Sequence, residues 1–315
     1  MNMIDITAVG EILIDLTQSG HNELGIPVFA ANPGGAPANL AVAAARLGAS
    51  TAFIGKVGTD SYGTFLRNTL IDNGVDVSGM ITDPVSRTTL AVVALDKTGE
   101  RTFSFYRDPS ADVNLRCDEI SLDQLKNTKF LHFGSVSLTT DPARSATLFA
   151  AKTAKENGAI ISYDPNYRAS LWSDEATAIE RMLEPLGLVD VLKVSDEELP
   201  LLTGTDDLEK GSQMLADKGI ALVLVTLGAN GAYYRFGQHT GHVPGVKVKV
   251  GDTNGAGDTF FGATLSQLCK FEKLADISVP ELEEIISIAN RAAAVTTSRH
   301  GAIPAMPTYQ EIFGK

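Results

Sequence analysis

A glycine-rich turn flanked by two aspartates is the part of this 315-residue sequence best suited to chemistry. It runs Asp252-Thr-Asn-Gly-Ala-Gly-Asp258 and precedes a helix-like stretch. The small residues Gly255, Ala256 and Gly257 allow a phosphate to approach backbone N–H groups, and the positive end of the helix dipole attracts it. Asp258 then stands where a carboxylate can accept a proton from a hydroxyl group held against that phosphate. The structural alternative is a tight turn with Asp258 as the helix N-cap.

A second glycine-rich stretch, Asn32-Pro-Gly-Gly-Ala-Pro-Ala-Asn39, precedes a helix-like segment near the start of the chain. Gly34 and Gly35 would let the backbone approach a polyhydroxylated ligand, and the Asn39 amide would hydrogen-bond its hydroxyl groups. Asp15, further upstream, would supply the two-oxygen acceptor that adjacent sugar hydroxyls require. The structural alternative is a loop-to-helix connection in which Asn39 solvates the end of the helix.

The charge balance limits the classes of ligand. The sequence contains 38 acidic and 26 basic side chains, a net charge of −12, and its pI is near 4.9. No broad positive surface is therefore expected for nucleic acid or an anionic membrane, so an anionic ligand needs a locally built site. No apolar stretch approaches the roughly 18 residues of a membrane span, and the start of the chain lacks a basic leader, which predicts a cytoplasmic protein.

The cysteines and histidines indicate neither a disulfide framework nor a zinc site. Cys117 and Cys269 are far apart in the sequence and belong to no CxxC motif or Cys/His cluster. The five histidines show no metal-ligand spacing. We therefore expect two ordinary thiols.

Short apolar runs alternate with longer helix-like stretches along most of the chain, as in βαβ units. The alternating segments are 4–9, 37–47, 50–57, 62–73, 130–134, 143–157, 160–164, 189–194, 197–203, 208–218 and 221–227, and a final helix is expected over 281–297. Several strand segments are continuously apolar, which is typical of strands covered by helices on both faces. The pattern predicts a doubly wound α/β sheet.

Two segments, 11–32 and 87–111, break this alternation. In the second, the runs 88–95 and 102–106 flank the turn-like residues 96–99, which predicts a β-hairpin with no helix after it. Such a hairpin lies outside the main sheet, either as an edge addition or as a small β lid. The sequence shows no repeat or long polar linker, so residues 1–315 are predicted to form one unit with an insertion.

The two glycine motifs together resemble the signatures of the PfkB (ribokinase-like) family of carbohydrate kinases, and they occur in the family's order. Further pieces resemble its fructokinase branch in particular, namely residues 105–112, 164–168, 193–198 and 225–228. The resemblance covers nearly the whole chain. It implies a ribokinase-like three-layer α/β/α sandwich with a small β-sheet lid over the sugar.

The resemblance also implies the reaction, which is ATP-dependent phosphorylation of a sugar hydroxyl, with fructose converted to fructose 6-phosphate as the favoured case. Asp258 matches the family's catalytic base, and Gly255 to Gly257 match its anion hole. Mg²⁺ would bridge the phosphates, and positioning with charge stabilisation would dominate the catalysis. In some relatives the lids pair, which makes a homodimer through the lid an expectation here.

Nucleotide-side positions follow from the same resemblance. The residues that match ATP-binding positions are Lys193, Ser195, Glu198, Thr226, Gly228, Gly231 and Asn290. Glu198 matches a glutamate that organises Mg²⁺ through water, although Ser195 stands where asparagine is common. The structural alternatives are a solvated helix face around Glu198, a strand-to-turn hairpin around Thr226, and a helix-packing asparagine at Asn290.

A monovalent cation, potassium, is implied beside the anion hole. Asp252 and Asn254, with backbone carbonyls near Thr296, Arg299 and Gly301, match the positions that bind it in the family. Some relatives have serine where this chain has Ala305, which removes one oxygen.

On the sugar side, Tyr106 and Arg107 are candidate contacts from the lid. Arg168 is a candidate partner for the γ-phosphate or a substrate carboxylate, because its fork of donors suits either. The alternatives are a packing role for Tyr106 and an exposed loop arginine at Arg168.

Other functions stay open at this point. Within the kinases, 2-keto-3-deoxygluconate, ribose, a nucleoside or an aminoimidazole riboside are alternative substrates. A sugar- or nucleotide-binding regulator without turnover is the non-enzyme alternative, since a fold does not imply a function. A nicotinamide dehydrogenase would need GxGxxG after the first strand, and residues 9–13 lack it.

Overall fold

The structure is a computed structural model that describes residues 3–95, 101–107 and 109–314. Within these residues the strands are β1 (Ile4–Val9), β2 (Leu13–His21), β3 (Pro27–Gly34), β4 (Thr51–Gly58), β5 (Val75–Asp76), β6 (Met80–Asp83), β7 (Leu90–Leu95), β8 (Arg101–Tyr106), β9 (Thr128–Gly134), β10 (Ile160–Asp164), β11 (Val191–Ser195), β12 (Leu222–Thr226), β13 (Gly231–Phe236) and β14 (His239–Pro244). The helices are α1 (Ala36–Arg46), α2 (Ser61–Asp72), α3 (Leu122–Lys126), α4 (Ala143–Glu156), α5 (Glu175–Leu183), α6 (Glu198–Thr203), α7 (Leu208–Ala216), α8 (Ala256–Leu268), α9 (Val279–Thr297) and α10 (Tyr309–Phe313).

The main sheet has the order β14-β13-β12-β11-β10-β9-β1-β4-β5, with β6 also paired to β4. Strands β4, β1, β9, β10, β11 and β12 are parallel. Successive residues of these apolar strands enter opposite cores: Val223 and Val225 pack on one face, whereas Leu222 and Leu224 pack on the other.

Helices cover both faces of the main sheet. Residues of α3 to α7 share a core with one face, and residues of α1, α2, α8, α9 and α10 pack against the other. The predicted three-layer α/β/α sandwich is therefore confirmed. Across the described residues, no helix is both long and apolar enough to span a membrane.

A third interruption of the βαβ order is the strand-to-turn hairpin that the sequence left as the structural alternative around Thr226. Strands β13 and β14 form an antiparallel hairpin at the edge of the main sheet. The chain reverses through Gly228–Asn230 into Gly231, whose φ of 97° is in the region that favours glycine. A Cβ atom at Gly231 would lie 2.2 Å from the Val243 carbonyl oxygen, so the hairpin requires glycine there.

The segments that break the alternation form a second, smaller sheet of order β3-β2-β7-β8. Strands β7 and β8 are antiparallel, as predicted for the hairpin, while its turn at 96–99 lies outside the described residues. Strand β3 reaches Gly34, so residues 32–34 belong to a strand and not to a glycine turn. Only Gly35, with φ 107°, makes the turn into α1.

Asp112 fastens the small sheet to the main body. Its carboxylate accepts hydrogen bonds from the Thr89 hydroxyl, which precedes β7, and from Arg107 Nε at 2.7 Å, which follows β8. Arg107 also donates to Thr139 Oγ1 at 2.7 Å and to the Val136 carbonyl at 3.0 Å. Both chain connections of the β7–β8 hairpin are thus held by one buried carboxylate.

Helices α1 and α8 pack almost backbone to backbone at Gly262. A Cβ atom on Gly262 would lie 2.7 Å from the Leu40 carbonyl oxygen and 2.9 Å from Ala43 Cβ. This close approach brings Asn39, on α1, to Asp258, on α8, at hydrogen-bond distance.

We expect Gly262→Ala to lower the free energy of unfolding by about 1–3 kcal/mol, because the new methyl group separates two packed helices. Urea titration measures this change. Gly187→Ala is the matched control, since a Cβ there meets nothing within 4 Å, and we expect it to change stability by less than about 0.5 kcal/mol. Equal stability of the two variants would contradict the tight α1–α8 contact.

Candidate active site

A cavity of about 610 Å³ opens where the parallel strands of the main sheet end. Such edges are where open α/β sheets bind ligands. The small sheet covers it, and Leu13, Asp15 and Thr17, alternate residues of β2, face it. The predicted site residues on its wall are Asp15, Gly35, Asn39, Arg168, Lys193, Ser195, Glu198, Thr226, Gly228, Asp252, Asn254, Gly255, Gly257 and Asp258.

The Asp258 carboxylate is held by two side-chain amides from other elements. Asn39 Nδ2 donates to Oδ2 at 2.8 Å, and Asn166 Nδ2 donates to Oδ1 at 3.0 Å. Asn166 lies just after β10 and has a φ of 49°, which asparagine tolerates better than most residues. Burial raises the pKa of Asp258, although the Asn39 hydrogen bond and the charge of Lys193 act in the opposite direction. The result is an oriented carboxylate with raised proton affinity.

The turn before α8 requires small residues. Gly255 has a φ of 74°, and a Cβ atom there would lie 2.8 Å from Ala302 Cβ. Gly255 and Gly257 line the cavity, but Ala256 does not, and its N–H donates to the Thr253 carbonyl at 3.3 Å. The Ala256 N–H thus has an acceptor within the turn, whereas helix geometry leaves the N–H groups of Gly257 and Asp258 without intrahelical acceptors.

A buried ion pair lies behind this helix terminus. Lys193 Nζ is 2.9 Å from Asp164 Oδ2, and a Cβ atom on Gly257 would lie 3.1 Å from Nζ. Burial lowers the pKa of Lys193, but the Asp164 and Glu198 carboxylates outweigh this and raise it above its usual value. Lys193 is thus a fixed positive charge beside the predicted phosphate position.

Acidic side chains outnumber basic ones around the cavity. Seven carboxylate residues line it, against Lys193 and Arg168 as the cations: Glu11, Asp15, Asp196, Glu197, Glu198, Asp252 and Asp258. A polyanionic ligand would be repelled here unless additional cations accompanied it.

Two polar side chains are placed for a hydroxylated ligand. Burial raises the pKa of Asp15 to about 6, and Asn254 Nδ2 lies 3.4 Å from its Oδ2. Asn39 Oδ1 is buried and accepts no hydrogen bond from the described residues. Gly34 does not line the cavity. A Cβ atom there would lie 2.4 Å from Asp15 Oδ2, so Gly34 makes room for that carboxylate.

Tyr106 and Arg107 differ from their predicted role as lid contacts, because neither lines the cavity. Side chains alternate along β8, so the inward residue is Phe105, and Tyr106 is exposed on the other face. Arg107 lies beyond the strand, and its guanidinium is engaged by Asp112 and neighbouring groups.

Glu198 and Ser195 hold each other at the end of β11. Glu198 Oε2 accepts the Ser195 N–H at 2.8 Å, and Ser195 Oγ accepts the Glu198 N–H at 3.1 Å. Glu198 Oε1 accepts the Tyr167 N–H at 2.7 Å, which ties the loop carrying Asn166 and Arg168 to β11.

Gly231 and Asn290, predicted to contact the nucleotide, do not line the cavity. Gly231 forms the tight turn into β13. Asn290 Nδ2 donates to the carbonyls of Val243 and Pro244, both at 3.1 Å, and so anchors α9 to β14. Asn290 therefore matches the packing alternative.

The predicted monovalent-cation positions cluster around Asp252. Its Oδ1 accepts the Asn254 N–H at 3.0 Å, and its Oδ2 accepts the Gly301 N–H at 3.3 Å. The Thr296 hydroxyl donates to Thr259 Oγ1, and the Arg299 guanidinium pairs with a glutamate on α10. Any contribution from Thr296 and Arg299 is thus restricted to backbone carbonyls. Within the described chain, no cluster of three or more His, Cys, Asp or Glu side chains is arranged to hold a metal.

The sequence assigned no site role to Glu11 or Asn166, and both lie on the cavity wall. Phe105, where relatives that use 2-keto-3-deoxygluconate tend to have tyrosine, lies on the wall as well. The position of Glu11, two residues after β1, was an available signal, because ligands bind at the carboxyl ends of parallel strands. The left-handed backbone of Asn166 has no signature in a single sequence.

Comparison with known proteins agrees with this geometry. The profile of the pfkB family carbohydrate kinases matches residues 3–309. A probable fructokinase-4 of Arabidopsis thaliana is 44% identical over 310 residues, which cover 98% of this chain and 95% of the relative.

Two solved structures share the fold. Fructokinase with bound ATP from Xylella fastidiosa superimposes with a TM-score of 0.92 at 34% identity, covering 98% of this chain and 97% of that one. A double mutant of fructokinase from Vibrio cholerae O395, in a fructose, ADP and potassium ion bound form, gives 0.89 at 37% identity, covering 100% and 99%.

These relatives, together with the layered fold and the carboxylate at a helix N-terminus, define a phosphotransferase that uses an alcohol group as acceptor. The chain belongs to the pfkB family of carbohydrate kinases, as the resemblance in its motifs indicated.

We expect Lys193→Met to cost about 3–5 kcal/mol of folding free energy, because it leaves the Asp164 carboxyl buried without its partner. Chemical denaturation measures this loss, and a further Asp164→Leu substitution should recover part of it. Lys155→Met is the control, since its ion pair with Asp190 is partly exposed and should contribute about 1 kcal/mol or less. Similar losses in the two single variants would contradict a special role for burial.

Proposed function

We propose that this protein transfers the γ-phosphoryl group of ATP to the 6-hydroxyl of fructose. The observation that carries the proposal is the Asp258 carboxylate, held by two amides at the first turn of α8 in a cavity lined by hydroxyl-binding groups. The fructokinase relatives, similar over almost the whole chain, support the substrate.

The sugar would bind between the small sheet and the start of α1. The Asp15 carboxylate would accept hydrogen bonds from adjacent hydroxyls, and the unpartnered Asn39 Oδ1 would accept another. At Gly35, a Cβ atom would lie 2.6 Å from the Glu11 carbonyl oxygen, so only glycine fits at this position of the turn. Phe105, from β8, would cover an apolar edge of the ring.

Asp258 would accept the proton of the attacking hydroxyl while the N–H groups of Gly257 and Asp258 stabilise charge on the transferred group. Its raised pKa favours this proton transfer, and the two amides fix the direction of approach. Lys193 would add positive charge behind the same turn. Arg168, which lines the cavity and whose charge acts on Asp258, would neutralise a phosphate oxygen.

The cavity fits a magnesium nucleotide better than a free one. Seven carboxylate residues against two cations leave a triphosphate without enough positive charge, and the absence of a three-ligand side-chain cluster in the described part predicts that the ion is held through phosphates and water. Glu198 would orient such a water, since carboxylate oxygens can accept more than one hydrogen bond. When bound, Mg²⁺ would neutralise charge on the phosphates.

Potassium would bind beside Asp252. Gly251 packs against the backbone here, where a Cβ atom would lie 2.9 Å from the Ser298 carbonyl oxygen and 3.2 Å from that of Arg299. Carbonyl oxygens therefore converge near an acidic side chain. In this position the cation would strengthen the positive field at the start of α8.

We also propose that the small sheet acts as a lid and that two copies of it pair into a homodimer. Leu24 is 82% exposed and Ile26 is 54% exposed, and the nearby Val28 and Phe29 of β3 are exposed as well. Strand β3 is an edge strand, which invites pairing with another chain. The cytoplasmic location stays a prediction.

The test of the activity is ADP production with Mg-ATP, with and without potassium, across fructose, ribose, 2-keto-3-deoxygluconate, adenosine and aminoimidazole riboside. We expect selective turnover of fructose, stimulated by potassium. Asp258→Asn should lower kcat by about 10²- to 10⁴-fold, since the base is lost while the side chain keeps its size. Glu284→Gln, on an exposed face of α9, should retain activity.

Turnover of another sugar would contradict the proposed substrate and leave the proposed mechanism unchanged. Folded protein that binds ATP but turns over none of these compounds would favour the regulator without catalysis.

For the dimer, we expect sedimentation equilibrium to give twice the chain mass of 33.4 kDa. The double variant Ile26→Glu with Phe29→Glu should sediment as a monomer, because charge is introduced into the proposed contact. Leu122→Glu, an exposed apolar position on α3, is the matched control and should remain dimeric. A monomeric wild-type protein would contradict the proposal.

A further inference from the structure

Glu11 is a buried acid on the cavity wall that neither the motifs nor the proposed chemistry uses. It lies two residues after β1, beyond the carboxyl end of that strand, and only 3% of its surface is exposed. It lines the cavity beside Gly35 and Ala36, close to the proposed sugar position. A carboxyl group at such depth needs partners or a ligand, because an unsatisfied buried polar group is costly.

The two oxygens of Glu11 have different surroundings. Oε1 accepts the N–H of Ala36 at 3.1 Å, the first residue of α1. Since the N-cap residue Gly35 has no side chain to do this, Glu11 caps the helix from another part of the chain. Oε2 is buried and accepts no hydrogen bond from the described residues. Capping therefore accounts for one oxygen only.

A second unpartnered acceptor lies on the same helix. Asn39 is one turn beyond Ala36, and its buried Oδ1 likewise accepts nothing from the described residues. Both Glu11 and Asn39 line the cavity. Two unsatisfied acceptors beside the start of α1 fit a ligand that offers more than one hydroxyl donor.

Fixed charges surround Glu11. Arg107, the residue after β8, and Asp112, which begins a short 3-10 helix, act on it electrostatically, and Asp15 and Asp258 line the same cavity. Burial raises the pKa of Glu11 to about 7, while its own backbone N–H and, to a smaller extent, the charge of Arg107 act in the opposite direction. The group therefore changes its charge in the neutral range, where a hydroxyl donor would favour the ionised form.

We propose that Glu11 Oε2 accepts a hydrogen bond from a hydroxyl of the sugar and so helps to determine which sugars the enzyme uses. This role rests on the proposed function and adds a third acceptor to Asp15 and Asn39. The ligand class is a polyhydroxylated sugar with donors on more than one side. Glu11 binds and positions it, and takes no part in proton transfer.

Glu11→Gln is the test, because its amide oxygen can still cap Ala36 while the negative charge at the second position is lost. A hydrogen bond to a charged group is worth enough to raise KM for the sugar by about tenfold or more. We expect KM for ATP and the thermal midpoint to stay close to those of the wild type. Glu284→Gln is the control for loss of an exposed carboxylate.

Two further readouts distinguish binding from capping. In the wild type, KM for the sugar should fall as pH rises through about 7, because the ionised acid is the better acceptor. This decrease in KM should be absent in Glu11→Gln. In a panel of monodeoxy sugars, one compound should have a much higher KM than the parent sugar with the wild type, while the variant should show no such difference between the two sugars. Calorimetry of sugar binding to the wild type should show proton release near pH 7, which tests the proposal even if the variant does not fold.

An unchanged sugar KM in Glu11→Gln overturns the proposal. So does an equal rise in KM for both substrates with a lower thermal midpoint, because that result indicates a capping role alone. If the wild type phosphorylates a sugar other than fructose, the proposed substrate fails while Glu11 is tested by the same measurements on that sugar.

Discussion

The site depends on the pair of hydrogen bonds that the Asp258 carboxylate accepts from Asn39 and Asn166. These three residues come from α8, α1 and the loop after β10, so the carboxylate is oriented only when all three elements are packed. The close contact of α1 with α8 at Gly262 and the hydrogen bond from Tyr167 to Glu198 secure the two amides. Much of the surrounding core can therefore be understood as support for one side chain.

Electrostatics explains how an acidic protein can bind a polyanion. The net charge of −12 repels ATP at long range, and the cavity wall repeats this excess of carboxylates. In the proposed function, binding would rely on positive charge that is fixed in place, namely the backbone N–H groups at the start of α8 and the lysine paired with Asp164. A buried ion pair of this kind fixes the position of the lysine more than it stabilises the fold, because the cost of desolvation offsets much of the attraction.

Hydrophobic periodicity was sufficient to predict the three layers, since each central strand enters two cores and reads as a continuous apolar run. It failed at β13 and β14, where the reversal depends on the backbone of Gly231, and a single glycine does not show which turn it makes. The site was predictable where chemistry demands a residue type, as at Asp258 and Gly255. It was not predictable where geometry alone decides, as for Asn166, whose left-handed backbone aims its amide at the carboxylate.

The residues at the end of β8 show that a match to a family motif and the direction of a side chain can point to different roles. Tyr106 and Arg107 lie in a segment that resembles fructokinases and were candidate sugar contacts, yet strand alternation turns Tyr106 outward and Asp112 engages Arg107. Arg107 still influences the site, because its charge acts on Glu11 and its hydrogen bonds fasten the sheet that covers the cavity. A residue can thus fit a functional motif because it holds the wall of the site in place. The side chains that line the cavity are then its neighbours, such as Phe105, which the pleat of the strand turns inward.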